Sequence, residues 1–448
     1  MQIEWLSFLT DPVLRAPTLG CMLMGLAAGV VGVVIFLRKE SLLGESLSHA
    51  AFPGAILGAF VGGLLGSDED LSSLIILAGA AFTAYLSIFF IRWLVTRLRI
   101  HSDAALCFTL AATFGIGVTL ASHMQFSDPA LYRNMLALLY GQAATMTDFH
   151  VYLYGALAAV VILLAALFRK EIQITSFDRT YASSLMLPVK IIEAVFFALA
   201  VLAVIIGIRS VGVVLMSAML IAPPAAARQF SNRFTTLLFL SGIFGILSGY
   251  LGNILSVTGS QELSLLFPNT RLSLPTGPVI VTISALLCFG ALLFAPERGL
   301  ASRAWRIARF RYKCLRENIL KCIWRHTKDY STTIPLLQEH LNATSLTLLI
   351  ALHHLKQEGW LEKNGKGSWK LTSDGIVKAA KIVRLHRLWE VYLADYLGIG
   401  AERVHRSAEE MEHIITPELE ASLTRLLKDP KVDPHKQPIP AADTGKTL

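Results

Sequence analysis

Two residues able to hold a metal ion stand four apart in an otherwise apolar stretch: Glu45 and His49, within G-E-S-L-S-H-A-A-F-P-G (44–54). A helix puts residues at that spacing on one face, so a carboxylate and an imidazole point the same way. That pair suits a transition-metal cation, because imidazole with carboxylate oxygen is the usual donor set for zinc, manganese or iron. Ionisable groups are costly in hydrocarbon, and inside a span they commonly mark an ion pathway. The plainer alternative is a buried polar pair satisfied by neighbouring helices. A second donor-rich region lies near the other end. His386 and Glu390 are again four apart, and His405 comes one turn before Glu409, Glu412 and His413. Three imidazoles and three carboxylates on two helices are a plausible set for Mn(II), Fe(II) or Zn(II), although such residues often form no more than a solvated face.

The elements that must position these groups differ in kind. The chain changes character near Glu297: residues 12–296 are almost uninterruptedly apolar, and 297–448 are polar, basic and rich in His and Glu. Of the net charge of +8, seven units fall after Pro296. A mean hydropathy of +0.56 excludes an ordinary soluble protein. Nine apolar stretches have about the length needed to cross the hydrocarbon: 14–37, 47–65, 71–95, 104–121, 149–168, 190–208, 211–227, 235–256 and 277–295. A short stretch at 134–142 is a candidate to dip into the membrane as well. Cations cluster in alternate loops (Arg38/Lys39, Arg92/Arg97/Arg99, Arg169/Lys170/Arg179/Lys190, Arg228/Arg233 and Arg298/Arg303/Arg306), so the C-terminal part is expected in the cytoplasm and the N-terminus outside. The first residues lack a basic signal-peptide n-region, and Met1 to Asp11 reads as a short retained tail. Five cysteines show no disulfide framework and read as small core residues.

Within the apolar part, Val211 to Arg228 carries Met216 and Met219 three apart, with Ser217 and a Pro223-Pro224 break. Two methionines at that spacing are more often packing than ligands. The loop from Phe177 to Pro188 is polar, able to form a short helix, and suited to docking on a soluble partner. The chain has no G-x-x-x-x-G-K-[ST] string, so it binds no nucleotide and energy for transport must come from a partner.

In the basic part, residues 298–330 hold ten Lys/Arg against Glu317 and Asp329, interleaved with Trp305, Phe310, Tyr312 and Trp324. A juxtamembrane segment held by anionic lipid explains the stretch up to Lys313. A short helix (334–341), a turn at Asn342, a longer helix (344–358) and two strands around Asn364–Gly367 then predict a winged helix. That reading brings Thr344, Ser345 and Thr347 to the major groove and Lys363, Lys366 and Lys370 to phosphates. Winged helices also serve as protein-interaction modules.

Several motifs carry a resemblance. L-R-K-E-S-L-L-G-E-S-L-S-H-A-A-F-P-G, T-F-G-I-G-V, L-L-Y-G-Q, F-D-R-T-Y-A and V-G-V-V-L-M-S-A-M-L-I-A-P-P-A-A-A-R occur in the order of the ABC permeases for zinc, manganese and iron, over residues 12–296. The resemblance implies a permease homo- or heterodimer, a separate ABC ATPase subunit and an extracytoplasmic metal-binding protein. It carries Glu45 and His49 onto the family's metal site, with Glu in place of the more usual Asp. It places Asp178 and Ala182 on the ATPase-coupling loop, where Met186 stands in place of a usual Gly.

L-T-S-D-G, R-L-H-R-L-W-E, H-R-S-A-E-E-M-E-H and D-P-H-K-Q-P-I-P resemble the diphtheria-toxin-repressor family over residues 317–440. This likeness implies a metal-loaded homodimer that binds operator DNA. His386, Glu390 and His405 fall on one of its metal sites, and Glu409, Glu412 and His413 on the other. Asn318 and Lys321 stand where members often supply a ligand from the first helix, so one is missing or weakened there.

The expected architecture is therefore an all-α polytopic membrane domain of about nine helices (1–296), a basic linker (297–316), a winged helix (317–375), a helical metal-binding and dimerisation domain (376–440) and a tail (441–448). The whole resembles permease–repressor fusions in the inner membrane. Cleavage around 300–316 would free the repressor. Two alternatives are a permease whose C-terminal part regulates transport without DNA, and a membrane-anchored transcription sensor that no longer transports.

Overall fold

A computed structural model describes residues 7–65, 69–127, 129–141, 143–267, 273–326, 330–365, 367–400, 411, 413 and 415–441. The chain divides into two compact units, Met1–Ser302 and Arg303–Leu448.

All the described secondary-structure elements of the first unit are helices. A short turn of helix, α1 (Ser7–Thr10), leads into α2 (Pro12–Arg38), α3 (Ser41–Leu64), α4 (Glu69–Arg97), α5 (Ser102–Ser127), α6 (Pro129–Tyr140) and α7 (Asp148–Leu167). After these come α8 (Arg169–Phe177), α9 (Arg179–Ser184), α10 (Val189–Ser210), α11 (Met216–Arg228), α12 (Phe234–Leu266) and α13 (Thr276–Phe294). Eight of them are long and apolar enough to cross a membrane: α2, α3, α4, α5, α7, α10, α12 and α13.

The ninth predicted span differs. Its helix, α11, has 13 residues, about 20 Å at 1.5 Å per residue, which is short of the hydrocarbon thickness. Residues 211–215 leave the helix because Gly212 takes a φ of 94°. Their backbone is not orphaned: the Val213 amide donates to the Leu138 carbonyl at 3.1 Å and that of Val214 to Leu139 at 3.3 Å. Irregular backbone in an apolar interior is tolerated where protein supplies such partners.

Helices α2, α3 and α10 are mostly buried, and α4, α5, α7 and α13 are less than a third buried. Between apolar helices the attraction comes from close packing and interhelical hydrogen bonds rather than from water exclusion. Both are present. Asn253 on α12 donates to the Thr18 hydroxyl on α2 at 2.8 Å, and Ser241 donates to the Gly29 carbonyl at 2.7 Å. At the α2–α12 crossing Gly25 meets Gly245, and at α3–α4 Gly54 meets Gly79. A Cβ on Gly54 would lie 2.1 Å from the Gly79 carbonyl oxygen.

The second unit opens with α14 (Leu300–His326), so the segment read as a linker is helical from Leu300 onward. It continues with β1 (Ser331–Thr333), α15 (Ile334–Leu341), α16 (Ser345–Gln357), β2 (Leu361–Asn364), β3 (Ser368–Leu371), α17 (Ser373–Asp395) and α18 (Pro417–Leu426). Asn342, at a φ of 45°, ends α15, and the Thr344 hydroxyl caps α16 by accepting from the Thr347 amide. The antiparallel sheet has the order β1-β3-β2. Its outer strand β1 is three residues of Ser and Thr, too short to announce itself by alternation. Ile319, Leu320 and Ile323 of α14 close a core with Leu337, Leu348, Leu352, Trp369 and Leu371.

Replacing Gly54 with Leu should force α3 from α4. Overpacking typically costs about 1–3 kcal/mol, so G54L should lower the detergent-solubilised unfolding midpoint and the monodisperse yield. Wild-type behaviour in both would mean that the helices do not approach this closely.

Candidate functional site

Helix α3 begins at Ser41 with Glu40 at its N-cap position, so Glu45 and His49 occupy its second and third turns. His49 is buried and Glu45 half-buried. The imidazole lies edge-on to Phe114 of α5, with ring centroids 4.7 Å apart. Its Nδ1 has no hydrogen-bond partner among the described residues, and neither does the buried Ser46 hydroxyl one turn before. A buried imidazole nitrogen left open beside a carboxylate is what a cation path needs; a purely structural histidine would have both nitrogens used or wet. The methionines of α11 behave as packing: both are fully buried, and Met216 Sδ occupies the space where a Cβ on Gly207 would sit.

The loop between α8 and α10 folds as predicted into a short helix. Asp178 is the N-cap of α9, its Oδ1 accepting from the Tyr181 amide at 2.9 Å. Ala182 is fully buried, whereas Phe177, Tyr181, Leu185 and Met186 are exposed. Four apolar side chains around one solvent-facing turn make a knob suited to a protein partner. Met186 has a φ of 56°, the left-handed conformation that glycine adopts without strain, so the backbone geometry survives without the glycine. The Leu187 amide closes the turn on the Ala182 carbonyl at 3.2 Å.

In the second unit, Thr344, Ser345 and Thr347 lie exposed at the start of α16. The same exposed face carries Leu346, Leu349 and Ile350, which no polar-contact argument anticipates. In the wing, Glu362 pairs with Lys370 and Lys363 with Trp369. Directly paired residues share a face, so Lys363 and Lys370 project from opposite sides of the sheet. Lys366 lies outside the described residues.

His386 and Glu390 are both buried on α17, with Nε2 and Oε1 3.1 Å apart. His413 Nδ1 lies 2.6 Å from Glu317 Oε2 on α14, and the Lys313 ammonium reaches the His413 carbonyl at 3.2 Å. His405, Glu409 and Glu412 lie outside the described residues, and among those described no three His, Cys, Asp or Glu converge. The donor chemistry of these two imidazole–carboxylate pairs, the first buried and the second half-buried at Glu317, fits a divalent ion. Glu317 is the residue that sequence reasoning missed: it precedes Asn318 by one position, and only the fold brings it to His413.

The D-P-H-K-Q-P-I-P segment acts as a clip on α17. Arg384 donates to the Pro440 carbonyl at 2.7 Å and reaches Asp429 at 3.3 Å, and Arg387 meets the Pro438 carbonyl and the buried Asp433. Burial pushes the Arg387 guanidinium below its ordinary range, while Asp433 opposes that shift. The five cysteines are free, and burial raises the Cys322 thiol above its ordinary value, as for a core residue.

Comparison with known proteins locates these features. Residues 10–295 match the ABC 3 transport family, and residues 372–441 match the iron dependent repressor, metal binding and dimerisation domain. A probable metal transport system membrane protein of Chlamydia trachomatis is 34% identical over 442 residues, covering 96% of each chain. The manganese transport system membrane protein MntC of Bacillus subtilis is 33% identical over 376 residues, 84% of this chain and 82% of its own. Among solved structures, PsaBC from Streptococcus pneumoniae in complex with Fab aligns with a TM-score of 0.57 and 26% identity, covering 69% of this chain and 100% of that one.

The loop geometry makes a local prediction. Removing the cap with Asp178→Ala costs about 1 kcal/mol of helix stability and should speed proteolytic cleavage within 177–188. Met186→Gly relieves a left-handed strain of roughly 1–2 kcal/mol and should slow that cleavage. Equal rates in all three proteins would refute the capped turn.

Proposed function

The chain belongs to the ABC 3 transport family, and we propose that it is the permease subunit of an ATP-driven divalent-metal importer fused to a metal-responsive repressor. The observation that carries the transport reading is the Glu45–His49 pair on buried α3, with an unpartnered imidazole nitrogen. The cargo is an ion such as Mn(II), Zn(II) or Fe(II), whose passage two such subunits would line. An ABC ATPase would dock on α9 through the apolar knob around Ala182, and an extracytoplasmic binding protein would deliver the metal. The loop charges support a cytoplasmic C-terminal unit.

In that unit His386, Glu390 and His405 would hold one regulatory metal, and Glu409, Glu412 and His413, with Glu317 beside it, a second. Metal there would neutralise these carboxylates and order the unit for dimerisation. Thr344, Ser345 and Thr347 at the start of α16 would then meet the operator, with Lys363, Lys366 and Lys370 offering charge to phosphates. Release by proteolysis remains part of this reading. The helical state of 300–316 requires that segment to open before a protease can act.

One observation favours a second reading of the C-terminal unit. Leu346, Leu349 and Ile350 are exposed on α16, and an apolar row suits a protein surface better than a groove lined by phosphates. On that reading the unit senses metal and regulates transport without DNA.

Two experiments separate these. Glu45→Gln and His49→Ala should each abolish uptake of manganese(II) and zinc(II) by cells depleted of other importers, with the protein still in the membrane. Uptake by both variants at the wild-type rate would remove the pair from the path. The 303–448 fragment, a compact unit with its own core, should bind DNA upstream of its own operon only with metal. Its log–log salt slope should be steep, by about one unit per phosphate contacted. Metal binding without any DNA retardation would select the transport-regulator reading.

A further inference from the structure

One buried carboxylate in the first unit has no part in the metal path. Glu193, in the second turn of α10, has a side chain only 10% exposed and is approached by three guanidiniums. Arg179, the first residue of α9, reaches Oε1 at 3.1 Å and Oε2 at 3.3 Å. Arg92 of α4 reaches Oε2 at 3.3 Å, and Arg38, the last residue of α2, lies 3.9 Å from Oε1. The next turn of α10 holds two of these cations by their faces. Arg38 sits over the Phe196 ring and Arg92 over Phe197, each at 4.8 Å from the centroid. Arg38 also donates from Nε to Glu40 at 3.3 Å, and Glu40 is the N-cap position of α3.

These contacts form an unbroken chain of charge from the exposed turn of α9, through Glu193 and Arg38, to the start of the helix that carries Glu45 and His49. We infer that Glu193 is the positioning residue that couples movement of α9 to α3, and so ATP hydrolysis to metal passage. The inference rests on the reading that an ATPase docks on α9. The members of the node are held unequally, which is what a switch requires. Arg38 and Arg92 are fixed by a ring and a carboxylate, whereas the Arg179 side chain is 68% exposed and held by Glu193 alone among the ion pairs at the node. Of the three guanidiniums, it is the one that water can best stabilise once it leaves the buried carboxylate. A cavity of about 370 Å³ beside it, lined by Arg38, Arg92, Arg179, Lys190, Glu40 and Glu193, leaves room for that release. Drawing α9 away would take Arg179 from the carboxylate and strengthen Glu193's hold on the two cations that stay. Two discrete arrangements of a packed network are the physical means by which such coupling travels.

The test uses the assembled transporter in proteoliposomes, the full chain with its ATPase and binding protein, and follows manganese(II) and zinc(II) uptake together with ATP hydrolysis. Glu193→Gln keeps the shape and removes the charge. It should lower metal moved per ATP about tenfold while hydrolysis stays within about twofold, a ratio typical of coupling energies. Arg179→Gln should do the same, and the double variant should be no worse than either alone. Glu193→Asp should recover part of the ratio. A merely structural role would lower uptake and hydrolysis in parallel, and that result, or an unaltered ratio, overturns the inference. Failure of the wild-type assembly to move metal would instead defeat the parent reading.

Discussion

A charge among apolar helices is tolerated only where something holds it, and the first unit is arranged around that constraint. Close helix crossings at Gly25–Gly245 and Gly54–Gly79 bring α2, α3, α4 and α12 within backbone contact and leave α3 buried along most of its length. On that buried helix Glu45 and His49 are the costly residues. The Glu193 carboxylate is satisfied by three arginines, two of them seated on rings. Beside Phe114 the protein leaves His49 Nδ1 open instead. The two sites thus differ in how far their polar atoms are satisfied, and only the second leaves a nitrogen open for a cation.

Much of this was legible in the sequence because its signals are local. Apolar length sets the long helices, and a carboxylate four residues before an imidazole sets a shared face. Asn342 and the Thr344 cap fix the helix–turn–helix of the second unit to within a residue. What stayed hidden depends on contacts far apart in the chain. α11 was read as a full span because its composition is apolar, but Gly212 and the backbone partners at Leu138 and Leu139 shorten the helix. β1 needs β3 to exist as a strand, since Ser331–Thr333 carries no pattern of its own. Residues 297–316 read as a linker because their charge is dense and their apolar positions few, yet from Leu300 they belong to the helix whose later turns bury Ile319, Leu320 and Ile323.

The candidate sites divide along the same line. Pairs within one helix, such as Glu45 with His49 and His386 with Glu390, follow from spacing alone. Glu317 with His413, 96 residues apart, does not. The first-helix positions at which a ligand was sought, Asn318 and Lys321, carry an amide and an ammonium, and neither replaces a carboxylate as a hard anionic donor. One residue earlier, Glu317 supplies that chemistry to the same region of α17's unit. The wing shows the reverse case. Lys363 and Lys370 look like one basic patch in sequence, yet antiparallel register sends them to opposite faces of the sheet.

Joining a transporter and a sensor in one chain has a consequence that follows from stoichiometry alone. On the proposed reading transporter and sensor would be made in equal number, so the sensor population would scale with import capacity and damp the response to shortage. The four described donors form two imidazole–carboxylate pairs, one buried and one half-buried at Glu317 with an ammonium nearby at Lys313. Lys313 sits 3.8 Å from Glu317, a positive charge that any cation arriving at that carboxylate would meet.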